Sequence, residues 1–215
     1  MSHHERLQRG LCGALATAPL LFLLATLGAH LQRPDLVPWQ APMSAYLTGP
    51  GGAALRAAYC VMAFCIPLAG LLGLGDPRRR RHCALPVMLF GTAGLALLPV
   101  TFTALAVGDT APGADLTRLI HGLAAQTTFL CLVAGIGVQT TLWGMERDRT
   151  HRPDIGIALA GLALATYVVM QLGAGLPRGL VQKTLVLAIL LWLQWAAWQW
   201  RHRLEPLRST AAETN

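Results

Sequence analysis

Residues 116–145 read "LTRLIHGLAAQTTFLCLVAGIGVQTTLWGM", a run whose one charged side chain, Arg118, stands at its start. The hydrocarbon core of a bilayer is about 30 Å thick and takes about 20 apolar residues to cross as a helix. This run exceeds that length. Working outward, five more segments meet the same test, at approximately 11–31, 53–75, 84–108, 155–176 and 180–200. In lipid every backbone N–H and C=O must be satisfied within the segment, and no ten-residue alternating strands are present to close a barrel, so each segment is expected to be a helix. The expected fold is all-α: one polytopic membrane domain over residues 1–215, a bundle of six transmembrane helices.

Composition agrees. Hydrophobic residues make up 54% of the 215, charged residues only 13%, and mean hydropathy is +0.49. These values exclude an ordinary soluble domain. The formal charge of +7 does not point to nucleic acid, because the arginines punctuate apolar runs and form no basic face. Anionic lipid headgroups are the expected partners. The five cysteines are scattered singly with no C-x-x-C pair, and read as small buried hydrophobes. The N-terminal apolar run is longer than the core of a signal peptide, and "HLQ" (30–32) is a poor cleavage site, so an uncleaved signal-anchor is expected.

Arginine placement sets the expected orientation. The N-terminus, the 76–83 loop "DPRRRRHC", the 146–153 loop "ERDRTHRP" and the tail "RHRLEPLRS" fall on one side and hold twelve of the seventeen Lys/Arg residues. By the positive-inside rule that side, with both termini, is cytoplasmic and the membrane is the bacterial inner membrane. Trp143, Trp192, Trp195 and Trp198 then fall near cytoplasmic helix ends, where an interfacial aromatic belt is expected. Glycines 70, 73, 91, 94, 135, 137, 156 and 161 are expected to let helices approach closely. Pro67 and Pro99 are expected to bend the second and third helices.

Five basic residues lie on the outer side: Arg33, Arg56, Arg118, Arg178 and Lys183. Four of them follow a Gly/Pro turn at the start of helix 2, 4 or 6. A cation in the first turn opposes the helix dipole by about 0.3–1 kcal/mol, so this placement needs another cause. Helix N-termini joined by guanidinium and ammonium groups make an outward-facing site for phosphate or carboxylate. The competing cause is snorkelling of long side chains to outer headgroups. His121 is too short to snorkel, lying about 9 Å of helix below Asp115, and must face the bundle interior or a wet cavity. Asp115 is expected to cap helix 4, and Ser44 to begin a short turn in the loop "QRPDLVPWQAPMSAYLTGPGG" (32–52) as its N-cap. A Ser44, His121 and Asp109 hydrolytic triad is chemically conceivable, although no nucleophile-elbow glycines surround Ser44. No phosphate loop, H-E-x-x-H motif or carboxylate cluster is present, and the His30/His121 pair is weak support for haem. No cofactor and no metal is expected.

Three stretches carry a resemblance. "MSAYLTGPGGAALRAAYCVMAFCIPLAGLLGLG" (43–75), "LTRLIHGLAAQTTFLCLVAG" (116–135) and "GLVQKTLVLAILLWLQW" (179–195) resemble the first outer loop with helix 2, helix 4 and helix 6 of the domain of unknown function 998 family of bacterial and archaeal integral membrane proteins. The resemblance implies six membrane helices. It matches Ser44, Asp109, His121, Gln182 and Lys183 to the family's polar pattern, with Lys183 where arginine is more usual and Asp115 competing with Asp109 for the aspartate. The family's name assigns no activity. The expected function is binding of an anionic lipid headgroup or a carboxylate ligand in an outward-facing polar pocket, through Arg56, Arg118, Gln182 and Lys183. The alternatives are a membrane-embedded lipid hydrolase or transferase with His121 as base, and a small-solute transporter.

Overall fold

The computed structural model describes residues 3–71, 84–104, 110–145, 153–173 and 175–204. Six α-helices follow one another: α1 (His3–Gln32), α2 (Gly52–Leu71), α3 (Ala84–Phe102), α4 (Ala114–Gly144), α5 (Pro153–Leu172) and α6 (Arg178–Leu204), with a 3-10 turn at Met43–Leu47 between α1 and α2. All six contain a stretch long and apolar enough to cross a membrane, and there is no strand among the described residues. The chain is an all-α polytopic membrane protein.

Each helix packs on its neighbours in sequence, and α6 closes the ring against α1. Helix α6 also touches α2 and α4, and is the most buried of the six, whereas α5 is the least. Leucines 20, 21, 24 and 27 of α1 and 116, 119 and 123 of α4 are exposed. Such faces would drive aggregation in water but are at home against lipid tails.

Helices in lipid gain little from the hydrophobic effect against one another, so packing depends on close approach, dispersion and polar contacts. A Cβ added at Gly94 of α3 would strike the Ala63 carbonyl of α2 and stand 2.9 Å from the Pro67 ring, and one at Gly70 would stand 2.8 Å from the Val87 Cα. The same holds for Gly156 against Trp195, while Gly135 sits 3.2 Å from the Phe90 ring. Positions 91, 137 and 161 instead open onto free space, so those three glycines are not packing sites; Gly73 lies outside the described residues.

The tryptophans do not form the expected interfacial belt. Trp143, Trp192 and Trp195 are buried and pack ring against ring, with centroids 5.5–6.1 Å apart, and Phe90 stacks on Trp192 at 5.7 Å. Their i, i+3 spacing on α6 turns two of them toward α4 together, and Trp192 Nε1 donates to Thr140 Oγ1 at 2.8 Å, so the indole keeps a polar partner inside the bundle. Trp198 alone of the four is exposed.

Candidate functional site

The site forms where α1, α3 and α5 finish and α2, α4 and α6 begin. Its floor is set by the loop after α1, which is clasped against the start of α6. Leu180 N donates to the Trp39 carbonyl at 2.8 Å, Lys183 Nζ donates to the carbonyls of Pro38 and Ala41, the latter at 3.2 Å, and Gly179 lets the Ala41 carbonyl come close. Arg33 closes the other side of the loop. Its guanidinium binds Asp35 at 2.8 Å and donates to the Thr48 carbonyl, beside Gly49, whose φ of 83° suits a residue without Cβ. The Arg33 guanidinium beside Asp35 holds that carboxyl below its ordinary pKa.

This clasp places Ser44. Met43 N, at the start of the 3-10 turn, donates to Gln182 Oε1 at 2.8 Å, which turns the Gln182 amide nitrogen away as a donor. Ser44 is not the expected cap: the turn begins after Pro42, no side chain caps it, and Ser44 lies inside it. Tyr46, fully buried, stacks on His30 with centroids 3.9 Å apart and carries Lys183 Nζ 5.1 Å from its ring centroid. Burial keeps the Tyr46 phenol above its ordinary pKa.

His121 is held from α3. Thr103 Oγ1 lies 2.6 Å from the Pro99 carbonyl and 3.3 Å from His121 Nδ1, and the Val100 carbonyl is also within reach of the ring. The threonine hydroxyl makes the i−4 back-bond common to helical threonines, to a Pro99 carbonyl that also accepts the Thr103 N–H at 2.9 Å.

Two connected chambers meet at these groups. The upper one, a vestibule of about 500 Å³, is lined by Ser44, Thr103, Arg118, His121, Gln126, Gln171, Arg178 and Gln182 among others. The lower one, about 70 Å³, is lined mainly by apolar side chains of α1, α2, α3, α4 and α6. Ser44, Ala125, Phe129, His121 and Gln182 line both and form the neck between them.

Of the residues singled out in the sequence, Ser44, Arg118, His121 and Gln182 thus share one cavity. Lys183 and Arg56 do not line it: Lys183 is engaged with the loop carbonyls, and Arg56 is exposed on α2. Asp109 lies outside the described residues. Asp115 does not cap α4, whose N-cap is Gly113 with no side-chain cap; from the first turn its carboxylate binds Arg118 Nη1 at 2.6 Å. The sequence reading missed Gln171, which exchanges two amide hydrogen bonds with Gln126 at 2.9 and 2.6 Å and ties α5 to α4 at the vestibule. Counting two antiparallel helices back from their shared end would have paired these glutamines. It missed Thr103 as the partner of His121 as well. Among the described residues no group of three or more His, Cys, Asp or Glu is placed to hold a metal.

A family profile described as "Protein of unknown function (DUF998)" matches residues 16–199. No curated protein matches the chain, and no solved structure does. Since the match covers most of the chain, the protein belongs to that family.

Proposed function

We propose that this member of the DUF998 family binds an anion in the vestibule: the headgroup of an anionic lipid or a carboxylate ligand, reached from the outer face of the bacterial cytoplasmic membrane, with both termini on the cytoplasmic side. The observation that carries the reading is the shared lining. Arg118 and Arg178 stand at the rim of one cleft, over hydrogen-bonding groups from Ser44, His121 and Gln182 at its neck. A guanidinium is always charged and matches carboxylate or phosphate in a fork geometry, and a concave site with low-dielectric walls strengthens that attraction. The vestibule's size lies in the ordinary range for ligand sites, roughly 300–1,000 Å³. Arg118 keeps Asp115 as a partner, which orients it and partly offsets its charge, so Arg178 carries a comparable share of the field.

The test is native mass spectrometry of the full chain from detergent, with bound phospholipid counted. Wild type should retain anionic phospholipid over zwitterionic lipid. Arg118→Glu with Arg178→Glu should reduce that retention at least tenfold, since each basic group near an anionic surface is worth about 1 kcal/mol and reversal doubles the effect. Unchanged retention in the double variant would sink the proposal.

A second reading rests on the neck. His121, held by Thr103 through Nδ1, lines the same chambers as Ser44, which supports general-base activation of Ser44 or of water in a lipid hydrolase or transferase. His121→Ala and His121→Gln separate the two readings. A base should lose turnover in both variants with ligand retained, whereas in a pure binding protein Gln should restore part of the affinity that Ala removes.

A further inference from the structure

The lower chamber has no role in holding an anion. Beyond the neck its walls are mainly apolar, Phe22, Met62, Ile66, Leu97 and Ile189 among them, with the Tyr59 ring, and its one threonine, Thr128, spends its hydroxyl on the Ala124 carbonyl at 2.9 Å. Walls of this kind offer water few partners and an alkyl group many dispersion contacts. Ser44, His121 and Gln182 line both the chamber and the cationic vestibule, so the two meet at these groups. An anion bound above therefore has an apolar socket in line with it.

We infer that the ligand of this site is a short-chain aliphatic carboxylate, its charged head in the vestibule and its alkyl end passed through the neck into the lower chamber. The inference rests on the anion-binding reading above and narrows it from anions in general to those with a short apolar tail. Size sets the tail. A dry cavity of ~150 Å³ takes up benzene, so a chamber of about 70 Å³ takes roughly half as many carbons, about three. Bare inorganic anions leave the chamber empty, and tails much beyond three carbons exceed its volume. The neck recognises the junction: the Gln182 amide N–H groups and the Ser44 hydroxyl stand where the carboxylate joins the chain.

The experiment is a binding series on the full chain in nanodiscs of zwitterionic lipid, using acetate, propionate, butyrate, valerate, hexanoate and octanoate, each measured against the Arg118→Glu/Arg178→Glu variant to subtract partition into lipid. Affinity should rise about fourfold with each methylene, the value of burying one CH2, as far as butyrate or valerate, and then fall at hexanoate and octanoate. Ile189→Ala, which enlarges the chamber, should move the optimum one to two carbons longer; Val186→Phe, at another lining position, should move it shorter. Affinity that is flat along the series, with the charge-reversed variant still unable to bind, overturns the tail inference while leaving the anion site standing. Affinity that climbs steadily through octanoate, or an optimum that stays put in Ile189→Ala, overturns it too. If no carboxylate binds at all, the inference fails, and the anion-binding reading stands or falls separately on the phospholipid retention described above.

Discussion

Lys183 offers the sharpest separation between a charge that holds the protein together and a charge that holds a ligand. In the structure its ammonium group donates to two loop carbonyls and rests over the Tyr46 ring. Replacing it with alanine removes two charge-assisted hydrogen bonds, each worth about 1.5–3 kcal/mol, and a cation–π contact of about 0.5–2 kcal/mol. Pro38 is exposed and Ala41 half-exposed, so water can take over at both carbonyls. That recovery cuts the net loss to about 2–3 kcal/mol. Lys183→Ala should therefore unfold at a lower denaturant concentration in detergent, and the 33–42 loop should become the first site of limited proteolysis. Lys183→Arg should rescue much of the loss, since a guanidinium can reach the same carbonyls. Anion affinity should fall only as far as the displaced loop disturbs Ser44. A Lys183→Ala protein with wild-type unfolding and proteolysis but no anion binding would refute this reasoning and return Lys183 to the ligand site.

Other outcomes follow from the same geometry. Gly94→Ala should destabilise the protein by about 1–3 kcal/mol, because the new methyl group meets backbone and a proline ring, whereas Gly91→Ala, facing open space, should be neutral or gain up to about 1 kcal/mol of helix propensity; parallel thermal melts check both. Gln126→Leu should leave Gln171 without its partner, cost about 0.6–2 kcal/mol and loosen the α4/α5 seam, read as faster amide exchange at the end of α5; Gln126→Leu with Gln171→Leu should recover most of the loss. The Asp35 carboxyl is held below its ordinary pKa by Arg33, so the clip it makes is fully present above the usual carboxylate range, about pH 4, and is lost as pH falls through the depressed value. Proteolysis of the 33–48 segment by an acid protease should accelerate below that pH in wild type, and at every pH in Asp35→Asn.

The fold was legible because membrane helices announce themselves by length and apolarity alone, and the six runs needed no tertiary information. Side-chain assignments were legible in proportion to how local they are. His121 could be read as inward-facing because imidazole cannot reach the interface from its depth, and Gln182 and Ser44 were marked by the family resemblance. The partner of each was not readable, since Thr103, Gln171 and the carbonyls of Pro38 and Ala41 come from elements distant in sequence. The tryptophans show the same limit from the other side. Their position near helix ends suited an interfacial belt, but position along a helix says nothing of which face turns inward, and α6 is the helix closest to the centre. Asp115 looked like a cap by residue type, yet Gly113 with a φ of 85° starts α4 two residues earlier and leaves the carboxylate to Arg118.

The central claim is that His121 lies in a water-accessible cavity whose field favours anions. Cysteine at position 121, in a background with the five native cysteines replaced, allows this to be measured as the ratio of labelling rates by an anionic and a cationic methanethiosulfonate of equal size. The account predicts that His121→Cys reacts and that the anionic reagent is favoured over its bulk ratio on the order of tenfold, with the preference reversed by Arg118→Glu and Arg178→Glu. A cysteine at 121 that fails to react, or reacts with no preference for charge, would contradict it.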